Sequence, residues 1–298
     1  MKRRSSPKIS IVTPSYNQGS YIETTIRSVL LQDYPHLEYI IMDGGSGDET
    51  LDVLQEYDQE ISYWESTEDR GQTHAINKGF RRATGEVVGW LNSDDFLLPH
   101  ALKRVARHFV SEPKTDLVSG GGVFFTSETE HYPVRPCARG LTPTLPMMLA
   151  APGNIIQQHS TFWRRRVLDV VGDLNESYDY AMDFEFFLRC CNTGLRFSTN
   201  QHCLAAFRQH AGQKSREETG GQYQQEMRRA TQPYLGQSLT TSSLSLQLHR
   251  WLFRLFSHRD QHPRLGLYFS CDIDLRRWIE QIQDTGRLNN DKHHVRET

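Results

Sequence analysis

At 298 residues, with 37% hydrophobic and 23% charged side chains, the chain is long enough for one α/β domain with an appendage. Its formal net charge of -2 gives no global attraction to nucleic acid, so any anionic ligand must be held by local groups. The five cysteines (Cys137, Cys190, Cys191, Cys203 and Cys271) include no CxxC pair, which argues against a zinc ribbon or disulfide framework and for a reducing compartment.

Met1-Lys2-Arg3-Arg4-Ser5-Ser6-Pro7 is basic but no apolar stretch follows, so it does not read as a signal peptide. No run approaches the roughly 18 apolar residues of a membrane-spanning helix. The expected location is cytoplasmic, or peripheral on the inner face of a membrane. Ile9-Ser10-Ile11-Val12-Thr13 reads as a first strand ending at Pro14, and Ile22, Ile26, Val29 and Leu30 share one face of a following helix. A second buried strand, Leu37 to Met42, stops at Asp43-Gly44-Gly45-Ser46-Gly47-Asp48. A helix with Leu51, Leu54 and Tyr57 inward then leads to a third strand around Ile61 to Trp64. Gly71 to Ala83 forms the next helix, closed by Thr84-Gly85 as a glycine cap. Glu86 to Leu91 is a fourth strand running into Asn92-Ser93-Asp94-Asp95, and a helix from Pro99 to Val110 precedes a fifth strand, Asp116 to Phe125. This alternation predicts βαβ units with a parallel sheet. Every polar cluster falls at a strand end, the edge where open α/β sheets bind ligands.

Pro133 to Pro152 holds five prolines and little periodicity, which predicts a mobile loop near the site. Gln157 to Phe162 reads as a strand, Arg164 to Val171 as a short helix, Tyr180 to Asn192 as a longer helix and Leu204 to Phe207 as a last short strand. Beyond Ser215 the chain is helical, Gln-rich and polar, with no catalytic motif.

Five clusters carry chemistry. In Asn92-Ser93-Asp94-Asp95, adjacent acids on a strand-to-loop turn offer hard oxygen ligands to Mg²⁺ or Mn²⁺; the same residues equally suit a turn capping the next helix. Asp43 to Asp48 combines glycines, which let backbone approach a ligand, with carboxylates able to meet a base or ribose, and equally fits a βα turn with Asp48 as N-cap. Thr13-Pro14-Ser15-Tyr16-Asn17 lies at the end of the first strand. Glu68-Asp69-Arg70-Gly71-Gln72 places Arg70 where it can meet phosphate or stack on a base, or stay in a solvated cap. Ala181 to Arg189 sets Asp183 and Glu185 among aromatics, a setting that raises a carboxylate toward general-base use unless the acids face water. Phe207 to Ser215 brings His210 together with Arg208 and Lys214 on a glycine-containing loop suited to a diphosphate.

In this order the clusters resemble those of the family 2 glycosyltransferases. The resemblance is close through "SIVTPSYNQGSYIETTIRSVLLQDYPHLEYIIMDGGSGDET" and "GEVVGWLNSDDFLLPHAL", and looser through "HSTFWRRRVLDVVGDLNESYDYAMDFEFFLR" to about Ser215, roughly two-thirds of the chain. It implies the GT-A fold: a Rossmann-like, mostly parallel central sheet flanked by helices, spanning residues 7–215. Within it, 7–126 would be the nucleotide-sugar-binding half and 127–215 the acceptor-binding half, with 216–298 a helical C-terminal extension. It also implies a nucleotide-sugar donor, a divalent cation (Mn²⁺ or Mg²⁺) and inversion at the anomeric carbon. Carried over by position, Thr13, Pro14 and Tyr16 line the nucleoside pocket, Asp43 bonds the base with Ser46 nearby, and Arg70 packs beside it. Asn92 stands where the family's metal motif commonly begins with Asp, which makes Asn92 with Ser93 a ribose or sugar contact and moves the metal to Asp94 and Asp95. Asp183 matches the catalytic base, and His210 a histidine that approaches metal or diphosphate.

The expected function is transfer from a UDP-sugar, with dTDP and GDP donors open, to a saccharide or lipid-linked hydroxyl in cell-surface polysaccharide or glycolipid synthesis. A catalytically inactive module of the same fold and a nucleotidyltransferase are the alternatives. Residues 13–20 hold no Lys or Arg to grip a triphosphate, which disfavours the second, and the retained acids disfavour the first. Leu244 to Phe256, with Arg250 and Arg254 among its apolar residues, fits a helix packed on this domain or on a second subunit, or one lying in a membrane interface.

Overall fold

A computed structural model describes residues 5–126, 135–136, 142–151, 153–210, 212–214, 221–238 and 275–283 of the chain. The N-terminal half alternates as expected: β1 (Ile9–Ser15), α1 (Gly19–Leu30), β2 (Leu37–Asp43), α2 (Thr50–Glu56), β3 (Tyr63–Ser66), α3 (Gln72–Arg82) and β4 (Val87–Trp90). These are followed by β5 (Phe96–Leu97), α4 (Ala101–Ser111), β6 (Leu117–Thr126), β7 (Arg135–Pro136) and α5 (Leu145–Ala150). A 3₁₀ turn (Gln158–Ser160) then leads to β8 (Thr161–Arg164), α6 (Arg166–Val171), α7 (Met182–Cys191), β9 (Phe197–Gln209), α8 (Gln222–Ser238) and α9 (Leu275–Gln283).

The strands form one sheet in the order β3-β2-β1-β4-β8-β6-β9-β5, with β7 paired to β6. Strands β1 to β4 run parallel, and Ser15, Asp43 and Ser66 stand side by side in register at their C-terminal ends. Strands β4 and β6 meet β8 antiparallel, β6 and β9 run parallel, and β5 pairs antiparallel with β9. The result is a mostly parallel GT-A-like sheet with helices on both faces.

Side-chain alternation divides the core. Val12, Val88 and Trp90 face α3 and the aromatic side of α7, where Phe184, Phe186 and Phe187 are buried. Ile9, Ile11 and Val87 face Ile22 and Ile26 of α1 and Leu102, Val105 and Phe109 of α4. A third cluster joins Phe96, Leu98 and Phe125 to Trp278, Ile279 and Ile282 of α9.

Several expectations differ in detail. Helix α3 ends at Arg82, extended Ala83 follows it as the C-cap, and Gly85 is no helix cap. A β-carbon at Gly85 would lie 2.5 Å from Ser10 Oγ, so the glycine serves close backbone approach to β1. The four residues 92–95 do not cap a helix, because β5 intervenes and α4 begins at Ala101 without a side-chain cap. The described part of the proline-rich stretch contains α5, whose Thr144 accepts from Met147 N at its start. Residues 157–162 split into a 3₁₀ turn and β8, while the short last strand is a 13-residue one, held along β6. Cys190, Cys191 and Cys203 are free thiols; Cys137, Cys271 and the Leu244–Phe256 segment lie outside the described residues.

Candidate active site

The C-terminal ends of β2 and β3 are joined through one carboxylate. Asp43 is 1% exposed, and one of its oxygens accepts from Gly45 N at 3.1 Å, Ser46 N at 2.9 Å and Ser66 Oγ at 2.6 Å. The other accepts from Ser46 Oγ at 2.6 Å. Gly45 takes φ +82°, which lets the chain fold back over the carboxylate. Ser46 Oγ in turn accepts from Asn17 N at 2.8 Å, and Asn17 Oδ1 from Gly47 N at 2.9 Å, which joins the two loops. Asp48 accepts from Gly19 N and from both the N–H and hydroxyl of Thr50; burial works against its charge, but these bonds bring its pKa below the usual value.

Beside this frame Tyr16 is 62% exposed, with its ring against Gly44, a flat face just past the C-terminal end of β1. Thr13 and Pro14 are buried, and the Thr13 hydroxyl meets that of Tyr39 at 3.2 Å. Arg70 reaches over the surface to Glu176, with contacts of 2.7 and 3.1 Å.

The turn after β4 is held from behind by α1. Thr25 Oγ1 lies 2.8 Å from the Ser93 carbonyl oxygen and 2.6 Å from that of Asp95, and Asp95 N donates to Asn92 O at 3.1 Å. Asp95 is sealed: one carboxylate oxygen accepts from Arg208 N at 3.1 Å, and the other is buried without a hydrogen-bond partner. Burial, and then the charge of Asp94, push its pKa well above the carboxylate range. Asp94 is partly exposed and meets buried His210 Nε2 at 3.0 Å, while its carbonyl accepts from Arg208 Nε at 2.9 Å. The His210 ring packs on Tyr21 at 4.5 Å between centroids.

Asp94 and His210 form a two-donor pair, and no cluster of three or more His, Cys, Asp or Glu able to hold a metal occurs among the described residues. That donor set suits a hard or borderline divalent ion that keeps waters and takes other ligands from phosphate, rather than a closed structural cage.

Helix α3 links this turn to Asp183. Gln72 Nε2 donates to Asn92 Oδ1 at 3.0 Å; one residue on, Thr73 Oγ1 donates to Tyr178 O at 2.9 Å, in the loop entering α7. Asp183 is half-buried in the first turn of α7 and accepts from Asn154 Nδ2 at 2.8 Å and Phe184 N at 2.6 Å. Burial raises its pKa, and those two hydrogen bonds only partly offset the rise. Lys214 Nζ lies 5.3 Å from the Tyr180 ring centroid.

The structure therefore brings Asp43 with Ser46, and Asn92 to Asp95 with His210, into two bonded groups, and ties Asp183 to the second through α3. Sequence reasoning gave Gln72 no role within its cluster and missed Asn154 and Tyr223, whose hydroxyl accepts from Asn154 N at 3.3 Å and whose pKa burial raises, with the nearby Asp183 charge adding to the rise. Tyr223 opens α8, a polar helix with no local motif to mark it.

A family model described as Glycosyl transferase family 2 matches residues 10–172. A Bacillus subtilis (strain 168) glycosyltransferase named for teichuronic acid biosynthesis is 47% identical over 92 residues, 30% of this chain and 36% of that protein. The chain thus spans about a third of that relative's length. The structure of Staphylococcus aureus TarS 1-349 with UDP-GlcNAc is similar at a TM-score of 0.62 and 19% identity, over 92% of this chain and 79% of that one. A mannosyltransferase from Pyrobaculum calidifontis, in complex with GDP-Man and Mn²⁺, gives 0.53 and 17% over 93% and 84%. Both share the fold.

Proposed function

The chain belongs to glycosyl transferase family 2, and on that premise we propose that it is a glycosyltransferase that moves a sugar, with inversion, from a UDP-sugar to a hydroxyl of a saccharide or lipid-linked acceptor. The observation that carries this reading is the pairing of partly exposed Asp94 with buried His210 at 3.0 Å, at the end of the sheet that also presents Tyr16. UDP is the favoured nucleotide because the TarS structure holds UDP-GlcNAc. A role in cell-surface polysaccharide or glycolipid synthesis is supported by the naming of the Bacillus relative.

In this reading Tyr16 stacks on the uracil, while Asp43, Ser46, Thr13 and Pro14 shape the nucleoside pocket and Arg70 closes its rim. Asn92 and Ser93 meet the ribose or sugar. Asp94 and His210 would hold a divalent cation, with Asp95 bracing the turn; bound there, the ion supplies positive charge to the departing diphosphate. Asp183 takes the acceptor proton as the acceptor oxygen attacks the anomeric carbon and the bond from that carbon to the diphosphate breaks. Its raised pKa suits a base. No helix among the described residues is long and apolar enough to cross a membrane.

The test is UDP release from UDP-N-acetylglucosamine, UDP-glucose and UDP-galactose against a panel of oligosaccharide acceptors. Asp183→Asn should lose transfer by about a hundredfold or more while still binding UDP. Near-normal transfer by that variant would refute the assignment of the base.

A further inference from the structure

Helix α7 lacks a cap of its own. It follows Ala181, whose methyl group accepts no hydrogen bond, and the turn that enters it, residues 179–181, is held from α8 instead. Half-buried Glu226 accepts from the N–H groups of Asp179, Tyr180 and Ala181 at 3.0, 2.8 and 2.8 Å. Three charge-assisted bonds to one carboxylate at a helix N-terminus are a strong local restraint.

The rest of the same helix face reinforces it. Arg229 donates to the Ser177 carbonyl, and its guanidinium lies 4.0 Å from the Tyr178 ring centroid. Tyr223, one turn before Glu226, bonds the backbone of Asn154, the residue whose side chain donates to Asp183. Met227 and Ala230 seat the helix in the cluster that holds Phe184. Helix α8 thus grips both the loop that leads to Asp183 and the asparagine that bonds its carboxylate.

We propose that Glu226 is a positioning residue for sugar transfer, fixing the backbone of residues 179–181 and so the direction of the Asp183 carboxylate. This rests on the reading of Asp183 as the base. Misplacing a base by an ångström slows the chemical step without weakening donor binding.

The experiment uses the full chain, with the donor and acceptor pair that turns over fastest in the panel above. Glu226→Ala should lower kcat by about tenfold to a hundredfold and leave donor KM and the calorimetric Kd for UDP within about twofold. Glu226→Gln, whose amide oxygen still accepts two of the three N–H groups, should recover most of the lost rate. A wild-type kcat in Glu226→Ala would overturn the proposal. So would a loss of kcat matched by lost UDP binding and a lowered Tm that Glu226→Gln shares. With Asp183→Asn in parallel, an inactive Asp183→Asn beside a fully active Glu226→Ala removes only the positioning role. An active Asp183→Asn removes the base and this inference together.

Discussion

The Asp183 carboxylate accepts two hydrogen bonds, yet burial still pushes its pKa above the usual carboxylate range. A base must be ionised to act, so transfer should rise with pH through that raised value, with an acidic limb above the 3.8 of an ordinary aspartate. For stability the sign is opposite. A raised folded pKa gives stability that is full below the unfolded value and is lost as pH rises through the folded one. Asp183→Asn should therefore be no less stable than the wild type at neutral pH while inactive. An acidic limb at the ordinary aspartate value would count against burial as the cause.

Glu38 behaves in the other direction. Burial alone would raise its pKa, but hydrogen bonds from Lys8, Ser10 and Thr84 outweigh it and bring it to about 2. Its contribution is present above the unfolded value of 4.5 and is lost as pH falls toward 2. Glu38→Gln should cost on the order of 2 kcal/mol at neutral pH, allowing for the exposed Lys8, and the difference should shrink on acidification. Urea melts at pH 7 and pH 3 check this; an equal difference at both would contradict it.

At the scale of elements, what could be read from the chain was what local periodicity records. The apolar runs of β1, β2 and β4 end in Thr13-Pro14, Asp43 and Asn92 to Asp95, so the polar edge of the sheet was legible from the chain alone. The aromatic face of α7 likewise marked Asp183. Features set by distant partners left no such trace. The two-residue β5 exists because Phe96 and Leu97 pair with Ala206 and Ala205, over a hundred positions away. β9 runs well beyond the apolar Leu204–Phe207 because β6 pairs along its length. Glu226 and Tyr223 act through contacts that span about 45 to 70 residues, which a polar helix does not announce.

Over the whole molecule, the Asn92–Asp95 turn rests on layers that come from both ends of the chain. From α1, Thr25 contacts the Ser93 and Asp95 carbonyl oxygens and Ser28 Oγ accepts from Leu97 N at 3.1 Å. From α9, Trp278 Nε1 donates to Leu97 O at 2.9 Å, and the Ile282 carbonyl accepts from Arg27. Trp278→Ala should cost about 3 kcal/mol or more, as buried tryptophans do, and speed hydrogen exchange at Leu97. Unchanged stability and exchange would show that α9 does not brace the turn.

The nucleotide-sugar site proposed at Asp94 and His210 stands or falls on a calorimetric titration of UDP, dTDP and GDP, with Mn²⁺ and then with EDTA. UDP should bind in the presence of Mn²⁺ and weaken by about tenfold or more in EDTA and in Asp94→Ala. UDP binding indifferent to both, or no binding of any of the three nucleotides, would contradict the account.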